Sequence, residues 1–392
     1  MTENEQVKSN IWKYYLATAL VHFGFFTPII QLFYLANDLT IVKIAFLGVI
    51  WNLIRIILEV PSGILADKWG RKNVLLISSI FAIVQVVILM WANAYWHFFI
   101  ASIVSAVAYS FLSGTDIAFF YDTLKQLKRE KEFEKLWARQ HIYQQVPLII
   151  AFASSGFLYK FSRLLPFQLS LIFLIASLVV ILTFKEPKFH KPMTHVNVFT
   201  HFAKSARHIF ENNPLKTMLV FTIIFSIGSD LSYGYGQIYL KQLALPVVLF
   251  GIAYTFKSLL VTTAANIAPS LRRRWSYQNI FALQIVLITV LFYVMVLTKS
   301  YMVGAISFVL IAIPHGLFII SKSSYVHEHT PSHRRATVDS MFSFMVALVI
   351  LVLEPATGYL ADVYTMKVPF LLIAIILSIY CVYYLIHGRK KI

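Results

Sequence analysis

The chain has 392 residues, of which 59% are hydrophobic and only 13% are charged. Soluble domains carry about a quarter charged residues, so this composition excludes an ordinary soluble enzyme. The formal net charge of +17 is what basic loops facing anionic lipid would produce, and nucleic acid is not needed to explain it. The single cysteine, Cys381, excludes a disulfide framework and a four-cysteine metal site.

Apolar runs of about 20 residues, the length that a helix needs to cross the hydrocarbon of a bilayer, recur along the whole chain. They predict an all-α membrane protein with about twelve transmembrane helices. The predicted spans are residues 11–36, 41–66, 73–93, 97–123, 141–161, 164–185, 215–240, 246–269, 277–298, 300–323, 338–361 and 367–387. The polar N-terminus, MTENEQVKSN, lacks the features of a signal peptide, so we expect the first span to stay in the mature protein.

Lysine and arginine set the predicted orientation of these spans. With the N-terminus inside the cell, roughly 26 of the 34 lysines and arginines fall at inner loops and at the chain ends. We therefore expect a multi-pass protein of the plasma (inner) membrane with both termini in the cytoplasm.

A basic, histidine-rich stretch divides the chain into halves. Residues 186–214 lie between the sixth and seventh spans, and the pattern at 198–210 suits an interfacial helix. The predicted domains are two helical bundles with a cytoplasmic linker between them, at 1–185, 186–214 and 215–392. Repetition supports this division, because EVPSGILAD at 59–67 recurs with small shifts as EPATGYLAD at 354–362. One copy runs inward and the other outward, which is typical of inverted three-helix repeats.

The stretch PSGILADKWGRK, residues 61–72, places four charged side chains between two membrane-length apolar runs, so it must be a turn in water. Gly63 would let a neighbouring helix approach closely, and Gly70 would allow a turn that a side chain hinders. GILADKWGRK resembles the signature turn, motif A, of the major facilitator superfamily. EVPSG at 59–63 and SGTDIAFFYDTL at 113–124 look like a bacterial branch of small-molecule and drug exporters.

This resemblance implies two six-helix bundles around a central cavity that opens alternately to each side of the membrane. In the family, the acid that matches Asp67 contacts the start of the eleventh helix, here residues 337–341. The family's arginine, which matches Arg71, pairs with an acid that matches Asp122, and Lys72 completes the motif. Such contacts would hold the halves together on the inside. The alternative is an ordinary cytoplasmic turn whose charges only enforce topology.

Ionisable side chains inside the predicted spans of the first half are the next candidates, because a charge in lipid normally faces a cavity or a partner. Arg55 and Glu59 are four residues apart and can pair along one helix face. Asp116, in the fourth span, falls at a similar depth. These groups are candidates for proton coupling; the alternative is a permanently ionised structural cluster that joins the second and fourth spans.

In the second half, Asp230 and Lys257 fall near the middle of the seventh and eighth spans. They either neutralise each other or both line water. Asp230, Tyr233 and Gln237 recur at helical spacing and predict a polar face for substrate contact, with a satisfied structural pair as the alternative. Further candidates, each with a structural alternative, are His22, Gln31 and His315 as cavity residues and Glu354 as a proton-access acid.

Other chemistries find little support in the motifs. HEHTPSH at 327–333 lacks the HExxH spacing of a zinc helix, and no GxxxxGK[ST] phosphate loop occurs. We therefore expect no metal and no cofactor, with the proton gradient as the energy source. The fourth span has no arginine and the fifth has no Gly-Pro pair, and both features are usual in proton antiporters of the drug-export branch. The resemblance therefore supports the fold more strongly than it supports coupling to protons.

The leading hypothesis is proton-coupled export of a small, amphiphilic molecule by a secondary active transporter without enzymatic activity. One alternative is proton-coupled uptake or facilitated diffusion of a nutrient. A weaker alternative is a membrane enzyme or a non-transporting sensor on the same scaffold. The expected partners are the small-molecule substrate and membrane lipid, with no nucleic acid, and we expect the chain to act as a monomer.

Overall fold

The computed structural model describes residues 2–188, 209–331 and 334–388 of the chain, and this part is helical throughout, without a strand. The helices are α1 (Glu3–Val21), α2 (Ile30–Leu35), α3 (Ile41–Trp69), α4 (Arg71–Met90), α5 (Tyr95–Leu112), α6 (Thr115–Gln126), α7 (Phe133–Phe161), α8 (Leu165–Leu182), α9 (Asn213–Gln242), α10 (Val248–Arg272), α11 (Tyr277–Leu297), α12 (Tyr301–Leu310), α13 (Ala312–Glu328), α14 (Arg335–Val363) and α15 (Lys367–Ile386). Short 3-10 turns at Thr27–Ile29 and Glu130–Glu132 precede α2 and α7.

Within the part of the chain that the structure describes, ten of the predicted spans are long and apolar enough to cross a membrane; α5–α6 and α12–α13 each count as one span. The two others are the α1–α2 pair and α7. The first is interrupted between Val21 and Ile30, and α7 carries Glu134, Lys135 and Arg139 in its first half. With these two included, the helices agree with the predicted twelve-span, all-α membrane fold.

The fourth span is broken where a glycine allows the backbone to turn. Gly114 has a φ of +79°, a conformation that is open to glycine but strained for other residues. The chain restarts as α6 at Thr115, and Asp116 lies in its first turn. A carboxylate at this end of a helix is favourable, because it meets the positive end of the helix dipole.

Contacts between Cα atoms divide the chain into two units. Unit 1 comprises residues 2–39 and 46–188 of the described chain. Within it, α4 packs against α5 and α8, and α1 packs against α6, α7 and α8. A buried aromatic cluster lies where these helices meet, with Phe119 and Phe120 nearly inaccessible to solvent. Asn10 also joins the ends of α1 and α8, because its amide exchanges hydrogen bonds of 2.8 and 2.9 Å with the Lys185 backbone.

Unit 2 comprises residues 40–45, 209–331 and 334–388 of the described chain, so it includes the first turn of α3. Helix α9 is its most deeply buried span, α10 packs against α13, and α11 packs against α15. Gly316 explains how close α13 comes to α10, because a Cβ there would lie 2.3 Å from the carbonyl oxygen of Val261. Helix packing in membranes depends on such small residues, which let two backbones approach.

The predicted linker at 186–214 falls mainly outside the described residues, and so does the predicted interfacial helix at 198–210. Its described residues are 186–188 and 209–214, and α9 begins within them at Asn213. The side chain of Asn212 accepts a 3.2 Å hydrogen bond from the Leu215 amide and caps this helix. The three predicted domain boundaries therefore stay a prediction.

Candidate functional site

The turn between α3 and α4 is held by a residue far away in sequence. Gly70 has a φ of +86°, and a Cβ there would lie 3.0 Å from the Glu186 carboxyl carbon. The Glu186 oxygens accept hydrogen bonds of 2.7 Å from the backbone N–H groups of Arg71 and Lys72. Glu186 therefore caps the N-terminus of α4, where unpaired N–H groups and the helix dipole favour an anion. The predicted requirement for glycine at position 70 is confirmed.

The predicted partner of Arg71 is also confirmed. Its Nε lies 2.8 Å from Oδ2 of Asp122, and the two side chains are only 16% and 9% exposed. This ion pair joins the start of α4 to α6 within unit 1. Gly63 differs from expectation, because it is exposed and a Cβ there would meet no atom within 4 Å. The predicted contact of Asp67 with residues 337–341 would join the two units, and it stays a prediction.

The three ionisable candidates of unit 1 do not form one bonded cluster. Over the residues that the structure describes, Arg55 and Glu59 make no ion pair within 4.0 Å, so the predicted pairing is wrong. The Arg55 guanidinium instead lies 5.5 Å from the ring centroid of Trp51, one turn earlier in α3, which is within cation–π range. Glu59 is exposed. Asp116 accepts a 2.7 Å hydrogen bond from the Ile117 amide.

His22 and Gln31 lie on either side of the break in the first span. Nδ1 of His22 is 2.7 Å from the Thr18 carbonyl oxygen, so this ring is held locally at the end of α1. Gln31 is half-buried in α2. Neither position contradicts the cavity role predicted for these side chains, which stays a prediction.

Lys257 is the most unusual side chain in unit 2. It lies in the middle of α10, is only 6% exposed, and its Nζ has no hydrogen-bond partner in the described structure. Two aromatic rings face the ammonium group, with centroids 3.8 Å (Phe308) and 5.4 Å (Tyr233) from Nζ. Removing an ion from water is costly unless other groups compensate for it. The two ring faces offset part of this desolvation cost. The ammonium group can therefore still donate hydrogen bonds to an acceptor on a bound molecule.

Asp230 is near Lys257 but not bonded to it. The two side chains interact electrostatically, yet no N···O distance between them is within 4.0 Å over the residues described. Oδ1 of Asp230 instead accepts a 3.0 Å hydrogen bond from the Ser229 hydroxyl. The two charges are therefore neighbours without a salt bridge, and the two predicted alternatives, mutual neutralisation and a water-lined site, both stay predictions.

Two more ionisable groups extend this pair into a cluster. Glu354 on α14 interacts electrostatically with Asp230, and His315 on α13 interacts with Lys257. Oε2 of Glu354 and Nδ1 of His315 are buried without a hydrogen-bond partner among the described residues. Buried polar atoms without partners are rare in native proteins and need an explanation. We call Asp230, Lys257, His315 and Glu354, which come from four helices, the unit 2 charge cluster.

Aromatic side chains border the unit 2 charge cluster. Tyr233 is 53% exposed, and its carbonyl oxygen accepts a 3.4 Å hydrogen bond from the Tyr254 hydroxyl. Gly236 makes room for both neighbours, because a Cβ there would lie 2.2 Å from Phe308 and 3.0 Å from the Tyr254 oxygen. Gln237, predicted on the same polar face, is 5% exposed and bonded to Tyr254.

Sequence reasoning missed several of these residues. Tyr254 stands three positions before Lys257 on α10, so helical spacing offered a signal for it. Phe308 and Glu186 offered none, because each reaches its partner from a distant part of the chain.

The stretch HEHTPSH at 327–333 begins at the end of α13, and its first histidine contacts a nearby carboxylate. Nε2 of His327 lies 2.7 Å from Oδ2 of Asp339, and Lys322 lies 3.9 Å from Oδ1 of the same carboxylate. His333 lies outside the described residues. Across the described ranges, no three histidine, cysteine or acidic side chains are grouped as metal ligands.

Comparison with known proteins agrees with this architecture. The family model of the Major Facilitator Superfamily matches residues 14–354. The MFS-type transporter YxaM of Bacillus subtilis (strain 168) is 28% identical over 149 residues, and this alignment covers 38% of the chain but only 36% of the relative.

Solved structures share the fold over nearly the whole chain at low sequence identity. A mutant form of the nucleoside transporter NupG has a TM-score of 0.82 at 15% identity, over 97% of this chain and 98% of its own. A bacterial homologue of the human lysosomal transporter Spinster, inward-facing and unoccupied, has a TM-score of 0.75 at 12% identity, over 100% and 98%. A POT family transporter in complex with 5-aminolevulinic acid has a TM-score of 0.75 at 10% identity, over 98% and 96%. Together with the signature turn and the twelve helical spans, these matches show that the chain belongs to the Major Facilitator Superfamily of membrane transporters.

Proposed function

We propose that this protein is a secondary active transporter that exports a small, amphiphilic molecule in exchange for protons. The observation that carries the proposal is the unit 2 charge cluster, in which the buried Lys257 ammonium group has no hydrogen-bond acceptor among the described residues and interacts with Asp230, which in turn interacts with Glu354. Orientation is part of the proposal, with both termini and the turn at 61–72 on the cytoplasmic side.

Charge balance explains why such a cluster suits proton coupling. With both acids ionised, Lys257 protonated and His315 neutral, the cluster has a net negative charge, and one added proton makes it neutral. In a site of low dielectric constant, this difference strongly changes the free energy of binding a charged or polar molecule. Substrate and proton would therefore compete for the same buried group, which is the requirement for exchange transport.

The aromatic border supports an amphiphilic substrate. The exposed ring of Tyr233 lies beside Tyr254 at a centroid distance of 5.8 Å and a steep angle, and Phe308 lies 5.3 Å from Tyr254. Such rings offer apolar faces, and tyrosine adds a hydroxyl group, so they suit a molecule that has both apolar and polar parts.

Reconstitution into vesicles tests the function. Purified protein is placed in liposomes with an imposed pH gradient, and movement of ethidium, a lipophilic cation, is followed by fluorescence. Exchange predicts that ethidium moves against the direction of proton flow. Movement in the same direction as protons would instead indicate uptake by symport, and movement that is indifferent to the gradient would exclude coupling. Nucleosides and short peptides form a second set of probes, because structural neighbours named as nucleoside and POT family transporters share the fold.

Single substitutions then test the assigned residues. D230N and E354Q each remove one acid from the cluster, and we expect at least one of them to make transport independent of the pH gradient. Lys241 supplies the matched control, since it is an exposed lysine at the end of α9, outside the cluster. K241M should leave transport unchanged. Coupled transport that survives in both acid variants would show that the cluster is not the coupling site.

A further inference from the structure

A groove with a volume of about 340 Å³ runs along one face of α11, within unit 2. Its walls are spaced along that face and include one residue of the turn before it; they are Trp275, Asn279, Ala282, Leu283 and Val286. Trp275 and Val286 are exposed, so the groove is open to the surroundings of the helix. We call it the α11 groove.

The α11 groove has a firm inner wall on a membrane span. Leu283 packs against a buried cluster formed by Ala264 and Ala268 of α10 and Leu317 of α13, and close packing of this kind gives a surface a fixed shape. The hydrocarbon of a bilayer contains no water, so lipid chains cover an apolar groove on a span. They pack into it by van der Waals contact. The headgroup then decides which lipid the groove prefers.

Three consecutive arginines stand at the end of the α11 groove. Arg272 is the last residue of α10, and Arg273 and Arg274 come directly before Trp275. The guanidinium group of Arg272 is held in place, because its Cζ lies 4.0 Å from the Tyr277 ring centroid and its Nη1 donates a 3.4 Å hydrogen bond to the Trp275 carbonyl oxygen. Trp275 is itself a wall of the groove, so cationic groups border the groove where α11 begins.

These arginines are not neutralised by acids in the described part of the chain, where none of them makes an ion pair within 4.0 Å. The sequence explains this, because no aspartate or glutamate occurs between Asp230 and Glu328. Glu328 reaches this end of unit 2, but its Oε1 accepts a 2.5 Å hydrogen bond from the Tyr277 hydroxyl. The buried Arg71, by contrast, is paired with Asp122. All three arginines are exposed, so they can bind an anion from outside the protein.

We propose that the α11 groove binds an anionic phospholipid, with one acyl chain along α11 and the headgroup phosphate on the three arginines. A guanidinium group presents parallel N–H donors that match the oxygens of a phosphate. Trp275 stands between the two parts of the site, and tryptophan is enriched where hydrocarbon meets the headgroups.

The length of the α11 groove also fits one leaflet. Asn279 and Val286 are seven residues apart, which is about 10 Å along a helix. One leaflet has a hydrocarbon depth of roughly 15 Å, half that of the bilayer. The inference goes beyond the proposed function and does not depend on the substrate, on proton coupling or on the orientation of the chain.

Native mass spectrometry counts bound lipids and tests the headgroup part of the site. Full-length protein in detergent is titrated with dioleoyl phosphatidylglycerol or with phosphatidylcholine that has the same chains, and the fraction carrying one lipid gives a Kd for each. The wild type should bind phosphatidylglycerol at least about tenfold more tightly. R273Q/R274Q should weaken phosphatidylglycerol binding about thirtyfold, through the attraction that each basic side chain adds near an anionic headgroup.

A bulky side chain tests the acyl-chain part of the site. V286W fills the α11 groove from its exposed wall and should weaken the binding of both lipids, because it excludes the chain. Val290 is exposed one turn further along α11 and does not line the groove. V290W is therefore the matched control, and it should bind both lipids as the wild type does.

The charge control uses two lysines at the other end of unit 2. Lys241 lies at the end of α9 and Lys299 follows the end of α11, and both are exposed. K241Q/K299Q removes the same charge as R273Q/R274Q and should change the Kd less than about twofold, because a helix length separates these lysines from the arginines.

Three results would each refute the proposal. The first is a wild type that binds the two lipids equally. The second is a K241Q/K299Q variant that loses as much affinity as R273Q/R274Q, because diffuse attraction to a basic protein would then suffice. The third is a V286W variant that binds like V290W, because no chain would then lie in the groove. All substituted positions are exposed, so each variant should fold. The assay involves no transport, so its failure leaves the proposed function standing, and absent coupling leaves the lipid site standing.

Discussion

Replacing Lys257 by methionine should abolish transport without destabilising the protein. In a structural role, the ammonium group would be satisfied by neighbours, and its loss would leave a buried acid uncompensated. The observed Nζ has no hydrogen-bond partner in the described structure, and the nearest group that offsets its burial is the ring of Phe308, with its centroid at 3.8 Å. Methionine fills a similar volume, carries no charge and packs well against aromatic rings.

The expected magnitude follows from opposing contributions. Desolvating an ion costs several kcal/mol after relaxation. The cation–π contacts offset about 2 kcal/mol of that cost. The attraction to Asp230, at more than 4 Å, offsets less than about 4 kcal/mol at an effective dielectric constant of about 20. Asp230 can bind a proton once the lysine is gone, so we expect K257M to change the free energy of unfolding by between zero and about 2 kcal/mol in the stabilising direction.

Thermal unfolding followed by tryptophan fluorescence measures this effect, with ethidium transport assayed on the same preparations. K241M should match the wild type in both assays, because exposed substitutions usually change stability by less than about 0.5 kcal/mol. The reasoning is refuted if K257M unfolds at a clearly lower temperature and still transports, since Lys257 would then be a structural ion.

Two further predictions concern packing and the signature turn. G236A should destabilise unit 2 by about 1–3 kcal/mol through overpacking, because the new Cβ would lie 2.2 Å from Phe308. G234A is the control and should be neutral, because a Cβ there would have no atom within 4 Å. Equal unfolding temperatures for the two variants would contradict this packing. D122N should lower stability by about 3 kcal/mol by leaving Arg71 buried without its carboxylate, whereas E132Q, at the exposed pair of Arg129 and Glu132, should have no measurable effect. A double-mutant cycle with R71Q measures the Arg71–Asp122 interaction, and a coupling energy near zero would show that the pair does not hold α4 to α6.

The fold could be predicted from the sequence because the features that indicate it are local. Span length, flanking charge and the positive φ required at Gly70 can all be found within short windows of residues. The Arg71–Asp122 pair came from the family's pattern, not from spacing. The pairing of Arg55 with Glu59 was wrong because Trp51 stands four residues before Arg55, as Glu59 stands four residues after it. An aromatic face competes well with a carboxylate for a guanidinium group away from water.

The unpredicted contacts depend on which helices the fold brings together. Glu186 caps a helix that starts 115 residues earlier, and Asp362 binds amides 321 and 320 residues away. Asp230, Lys257, His315 and Glu354 were each identified as ionisable residues in a span. Only the packing of α9, α10, α13 and α14 shows that they form one cluster, and no periodicity within a single helix carries that information.

Proton release on substrate binding tests the central claim most directly. Purified protein in weakly buffered solution is mixed with the transported compound, and a pH indicator records the protons released. If substrate and proton compete for the unit 2 charge cluster, the wild type should release protons in proportion to the compound bound, and the D230N/E354Q double variant should bind without release. Equal release from the wild type and the double variant would place the coupling proton elsewhere and contradict the account.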